Sequence, residues 1–301
     1  MAALDRVVLG MVSRTFYYVP VWAARDQGFF QAQGLDVAFE ILGNAGPGDG
    51  LRGGDLHVAI APPEGILQDV ASGGSLRFVA GNSGKLSHCL ITRPQFRKIE
   101  DLKGARIGIL SMTEGSLFHF QAVAERHGLS YPDDYEIVLT GGAPPRHQAL
   151  LDGTIDAGLQ SIPWTYAAED AGFNNLLDVG DYVPDWQFNA YSADLGWAES
   201  NRDLLVRFLR AMLAATEWVH GHRAGAAEIV ERELGISRSF GERGWDYFTT
   251  TGALTRDLAI NRPGVAEVVA VQEKAGLVAP GRLGDGAAAI EESFLAEARA
   301  G

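Results

Sequence analysis

The tightest constraint on the fold is the stretch from Thr140 to Gly180, where helix, strand and helix signals follow one another without spare residues. An amphipathic helix carrying Ala149, Leu150 and Leu151 is stopped by Gly153. A short apolar strand, Ile155 to Leu159, comes next, and a polar turn at Gln160 and Ser161 opens a second helix at Pro163. This is a βα unit whose strand ends in exposed polar groups. In open α/β sheets ligands bind at such carboxyl ends, so the segment points to a small-molecule cleft.

The same alternation runs through the first two thirds of the chain. Strands are predicted at Val7 to Met11, Val37 to Ile41, Val58 to Ala61 and Leu76 to Ala80, with helices from Pro20 and over Ile66 to Ala71. Pro20 suits a first helical turn, and Gly28 and Gly34 punctuate the end of that helix and the short turn at Phe29 and Phe30. A second series begins near Arg93 and Pro94, with strands at Arg106 to Leu110 and Tyr135 to Leu139 around a helix from Ser116 to His127. Such alternation predicts mainly parallel sheets covered on both faces. The last third reads as helical. Ser200 with Asp203 suggests a capping box, and Leu205, Phe208, Leu209, Met212, Thr216 and Val219 form a core-facing stripe. Further helices are predicted over Arg223 to Glu233, Gly241 to Thr249, Gly264 to Gly276 and Ala287 to Ala300.

A chain of 301 residues is expected to divide into two compact lobes. The formal net charge of −13 argues against nucleic-acid binding, which needs a basic stripe. It leaves room for an anionic ligand, because a local pocket can oppose the global sign. The single cysteine, Cys89, allows no internal disulfide and reads as a buried structural thiol, with a nucleophile as the competing reading. No apolar run approaches the ~18 residues of a membrane span. As written the chain is expected in the cytoplasm, or in the periplasm if an export signal was removed. No P-loop, dinucleotide fingerprint, zinc helix or nucleophile elbow is present, so no cofactor or metal is expected and binding is favoured over chemistry.

Four segments then align with one family. They are Ala24 to Val37 with its Gly28-Phe29-Phe30 and Gly34-Leu35 signature, Gly54 to Ile60, Asp101 to Gly108, and Ala149 to Pro163 with Gly153-Thr-Ile-Asp-Ala157. Their order and spacing over about residues 7 to 220 resemble the type 2 solute-binding proteins of ABC importers, in particular the nitrate, sulfonate, taurine and thiamine-precursor group. The resemblance implies an α/β, two-lobed type 2 periplasmic-binding-protein-like fold with two strand crossovers. Lobe one would hold residues 1–92 and 191–301, and lobe two residues 93–190. It implies a monomer that captures a small-molecule ligand and docks on an ABC permease.

Strand-end loops supply the candidate ligand contacts. Arg14 offers a forked cation for a carboxylate or sulfonate, beside Thr15, Phe16 and Tyr17 as walls; a surface charge and core aromatics are the plainer alternative. Asn44 sits in a turn, and Pro63 and Glu64 open a helix. Glu64 either complements that helix dipole or, facing a ligand, calls for a hydroxyl, an amine or acid–base chemistry. Asn82 and Ser83 offer polar contacts or a plain turn. Ser111, Thr113, Gly115 and Ser116 make an anion cradle or an ordinary helix cap, with Glu114 expected outward or bonded. Gln160 and Trp164 follow in the other lobe, and Trp186, Asn189 and Tyr191 lie on the return crossing.

Two functions are therefore expected to compete. One is an importer's receptor for a small organic anion, held by Arg14 and the 111–116 cradle. The other is a cytoplasmic enzyme on the same scaffold, such as a decarboxylase, desulfinase or pyrimidine synthase, drawing on Glu64, Glu114, His88 and Cys89. A ligand sensor is a third, weaker reading.

Overall fold

The computed structural model describes residues 4–43 and 45–301. The first eight elements are β1 (Asp5–Met11), α1 (Val19–Asp26), α2 (Phe29–Ala32), β2 (Leu35–Ile41), α3 (Gly48–Gly53), β3 (Val58–Ala61), α4 (Glu64–Ala71) and β4 (Leu76–Ser83). The chain then crosses into β5 (His88–Thr92), β6 (Ala105–Ile109), α5 (Gly115–Arg126), β7 (Tyr135–Leu139), α6 (Ala143–Leu151), β8 (Ala157–Ser161), α7 (Trp164–Asp170) and β9 (Asn174–Asp178). It returns through β10 (Asn189–Asp194) to α8 (Leu195–Ser200), α9 (Arg202–Gly221), α10 (Arg223–Leu234), α11 (Arg238–Thr250), α12 (Arg262–Lys274) and α13 (Ser293–Ala300).

Two five-stranded sheets result, and they share one plan. The first has the order β2-β1-β3-β10-β4 and the second β7-β6-β8-β5-β9. In each, the second strand runs parallel to both of its neighbours, and the fourth runs antiparallel to both of its own. The antiparallel strand is in each case the one that has just crossed from the other half. Four strands point one way in each sheet, as the alternation of strands and helices predicts. The strand His88–Thr92, counted with the first lobe on the sequence, pairs with β8 and β9 in the second sheet.

Local chemistry explains most boundaries. Pro20 stands in the first turn of α1, and Gly28, Gly34, Gly128 and Gly153 each take a positive φ where a helix ends or a turn begins. The stripe on α9 is wholly buried, with Phe208 stacked on Phe30 at 5.8 Å between ring centroids. Other expectations shift. Gln160 and Ser161 are the buried end of β8 rather than a polar turn. The 200–203 capping box does not form. Asp194 instead caps α8 by accepting from the Trp197 N–H, so Ser200 closes one helix and Asn201 precedes the next. The helix expected over 287–300 shortens to a 3-10 turn and α13, and β9 is an additional strand.

The C-terminal helices tie the halves together. Gly244 on α11 has room for no side chain, since a Cβ there would lie 2.9 Å from the Phe16 ring and 3.5 Å from Pro163. Phe16 stacks on Phe248 of the same helix at 4.8 Å. Arg243 pairs with Glu169 on α7 and lies over the Tyr166 ring at 3.7 Å.

Candidate functional site

The carboxyl ends of β1, β3, β6 and β8 converge on one cleft between the halves. The first half contributes Val12, Ser13, Thr15, Tyr17, Pro62 and Glu64. The second contributes His88, Leu110, Glu114, Gly115, Ser116, His119, Gly142, Ala143, Arg146 and Ser161, and the return crossing adds Trp186 and Phe188. The arrangement is closed: about 40 Å³ remains at its centre, room for roughly three water molecules. Two hydrogen bonds latch it. The Ala143 N–H at the start of α6 donates to Ser13 Oγ at 3.2 Å, and Trp164 Nε1 donates to the Arg14 carbonyl at 2.9 Å.

Arg146 dominates the chemistry. It is 3% exposed, yet its Nε and Nη1 have no partner. Its stem lies on a floor of two glycines, Gly108 and Gly158, which face each other across β6 and β8. A Cβ on Gly158 would come within 3.1 Å of Arg146 Cδ, and one on Gly108 within 3.3 Å of Cγ. Burial lowers the guanidinium's affinity for its proton to a pKa of about 10, so at neutral pH it remains a cation.

Two acids line the same cleft. The Glu64 carboxyl is fully buried and neither oxygen has a well-formed hydrogen bond; its pKa is pushed up to about 8, by burial first and by Glu114 second, with the nearby Glu64 and Gly115 N–H groups pulling weakly the other way. Burial likewise raises Glu114 to about 7, and its Oε2 has no partner. Two histidines are held neutral: burial lowers His119 to about 3 and, aided by Arg146 and His119, puts His88 well below its usual range. Trp186 meets the His119 ring edge-on at 4.5 Å, and Phe188 meets His88 at 4.8 Å.

Of the residues singled out on the sequence, Thr15, Tyr17, Glu64, Gly115 and Ser116 meet at this cleft. Arg14 does not. Its side chain is 48% exposed and pairs with Glu233 at 3.5 Å, because the β1 loop turns it outward onto the end of α10. Phe16 is core, Pro63 sits behind Pro62 as the residue before α4, and Ser83 bonds the Lys85 carbonyl. Asn82 donates to Asn189 Oδ1 at 2.7 Å and to the Tyr17 carbonyl, which makes a buried brace of Asn82 and Asn189. Ser111 and Thr113 bond each other on the outside of the loop. The Ser116 hydroxyl accepts from the Leu110 N–H, so it is engaged in the turn before α5. Gln160 is buried away from the cleft, Trp164 serves as the latch, and Tyr191 lies inside the first sheet. Asn44 falls outside the described residues. Glu114, expected outward or bonded, faces the cleft with Oε2 unbonded.

Arg146 was not singled out on the sequence, and neither was His119. A signal for Arg146 did exist. Pro144-Pro145-Arg146 puts a cation in the opening turns of a helix, where the macrodipole disfavours it unless something anionic is nearby. Among the described residues no group of three or more His, Cys, Asp and Glu could hold a metal, and no helix is long and apolar enough to cross a membrane.

Two like-ordered mixed sheets closing on a shared cleft define the type 2 periplasmic binding protein fold. The family model described as NMT1/THI5 like matches residues 15–226, so the chain belongs to the NMT1/THI5-like family. Among its relatives is the 4-amino-5-hydroxymethyl-2-methylpyrimidine phosphate synthase of Candida albicans (strain WO-1), 24% identical over 68% of this chain and 64% of that protein. Among solved structures, the ligand-binding component of an ABC-type import system from Staphylococcus aureus, with zinc bound, superposes with a TM-score of 0.78 at 14% identity, covering 98% of this chain and 99% of that one. The alkanesulfonate-binding protein SsuA from Xanthomonas axonopodis pv. citri, bound to MOPS, gives 0.71 at 18% identity over 99% of both chains.

Proposed function

We propose that this protein is the solute-binding component of an ABC-type importer and that it captures a small organic anion between its halves, with Arg146 as the anion's partner. One observation carries the reading. A guanidinium is buried in the cleft with two unpartnered nitrogens, and among the described residues no carboxylate lies in salt-bridge contact with it. A buried, unpaired charge costs several kcal/mol, and a ligand that brings the counter-charge recovers that cost. The start of α6 adds its helix dipole to the same spot. The candidate anions are sulfonates, carboxylates and pyrimidine-like compounds carrying an acidic group. Family membership and the import-system and sulfonate-binding proteins of the same fold support this choice.

In this reading ligand binding stabilises the closed form, because contacts from both halves coexist only there. Arg146 and Ser161 grip from one side, Thr15 and Tyr17 from the other. The closed form is what a permease would recognise. Calorimetry with a panel of small sulfonates and carboxylates tests it. At least one should bind, and Arg146→Met should weaken that binding by about 100-fold or more, as loss of one partner of a buried charge pair does. Unchanged affinity in the variant ends the assignment.

An enzyme is the second reading. Glu64, Glu114, His88 and His119 meet in one cleft, as acid–base chemistry requires, and the Candida albicans relative is a synthase. Cys89 takes no part in it: the thiol packs with Ile91, Leu150 and Ile155, and burial pushes it up to about 12. Recovery of a bound ligand unaltered after long incubation favours the receptor; its catalytic consumption favours the enzyme.

A further inference from the structure

We infer that the ligand is a zwitterion, with an anionic group on Arg146 and a protonated, N–H-bearing nitrogen held between Glu64 and Glu114. This rests on the receptor reading above and narrows its substrate class.

The geometry of the two carboxyls carries the inference. Glu64 begins α4 in the first half, and Glu114 precedes α5 in the second. Glu64 Oε1 lies 2.7 Å from where a Cβ on Gly115 would be, so the carboxyl rests on the backbone beside Glu114. Gly115 is what allows this approach. Three of the four carboxyl oxygens of the pair are buried without a well-formed hydrogen bond, the Glu64 and Gly115 N–H groups being the donors that come near Glu64. Enclosed acceptors left without donors cost free energy, and an ammonium or amidinium has donors enough to satisfy both groups.

The surroundings offer no substitute. Tyr17, His88, His119 and Arg146 are the other titratable groups facing this space. Burial keeps both histidines neutral, and among the described residues Arg146 is the single cation lining the cleft. Burial raises both carboxyls, and the neighbouring Glu114 raises Glu64 further, so near neutrality the pair keeps about one proton. The closed site then carries one positive charge on Arg146 and about one negative charge on the pair, the mirror image of a zwitterion. Trp186 and Phe188 are the aromatic members of the same wall.

Matched probes test this by calorimetry: aminomethanesulfonate against methanesulfonate, β-alanine against propionate, and para-aminomethylbenzoate against para-toluate. At least one amine should bind about tenfold or more tighter than its amine-free partner, the worth of one good charged hydrogen bond. Glu64→Gln and Glu114→Gln should each pull that ratio toward one. Binding of the amine to the unaltered protein should also release protons, read from its heat in two buffers of different ionisation enthalpy. A ratio near one for every pair that binds, a ratio that survives both substitutions, or no proton release overturns the inference and leaves the anion site standing. No binding by either member of any pair removes the anion reading and this one with it.

Discussion

The Glu64 carboxyl ordinarily titrates near 4.5, and in the folded protein it does so near 8. Between those values the folded chain keeps a proton that the unfolded chain has lost, so this group's contribution to stability falls as pH rises through the window. His119 acts in the opposite sense. Lowered to about 3, it takes up a proton on unfolding below about 6.5, so stability rises with pH over that lower window. Glu64→Gln should therefore flatten the alkaline decline. Its advantage over the unaltered protein should grow between about pH 6 and 8 by an amount on the order of 2 kcal/mol, at about 1.4 kcal/mol per pH unit. Urea titrations at several pH values measure it, and parallel declines in both proteins would refute it. At this scale residue type was a poor guide. Arg14 and Arg146 carry the same guanidinium, yet one is paired with Glu233 at the surface and the other is enclosed and unpaired. Which way a side chain turns depends on the elements packed against it.

Among elements, β6 and β8 need their glycines because of the side chain that crosses them. The paired Gly108 and Gly158 leave the strip of bare backbone on which the Arg146 stem lies. Gly158→Ala puts a methyl 3.1 Å from Arg146 Cδ and 3.2 Å from the Gly108 carbonyl oxygen. Such overpacking costs about 1–3 kcal/mol, and the arginine is the part able to yield. The variant should fold with a lowered melting temperature and lose affinity for the bound anion, by about tenfold if the head group shifts far enough to lose one hydrogen bond. Full affinity would show that the floor does not position the arginine. Element existence was legible wherever periodicity and punctuation agreed, as in α1, α5 and α9. Where a polar pair closes a buried strand, as at Gln160 and Ser161, it looks like a turn. Sheet pairing with His88 and Cys89 of β5, far away in sequence, keeps those residues extended.

For the whole molecule, closure draws on contacts that reach from one half to the other. Ser13 caps α6, Trp164 reaches the Arg14 carbonyl, and α11 leans across onto α7 through Arg243. Trp164→Phe removes one latch while keeping an aromatic ring. Losing about 1 kcal/mol from the closed form should lower anion affinity roughly fivefold and enlarge the radius of gyration in solution scattering. No change in either would show that the tryptophan only packs. The class of fold was legible in the chain alone, because alternating strand and helix periodicity, glycine stops and the four family segments are local patterns that survive in any surroundings. So was the meeting of loops at strand ends, since parallel connectivity sends them to one edge. It took packing between distant elements to put Arg146 rather than Arg14 in the cleft, and to bring Glu64 and Glu114 to the same wall. Those outcomes depend on contacts between residues about fifty to more than two hundred positions apart, and no local pattern encodes them.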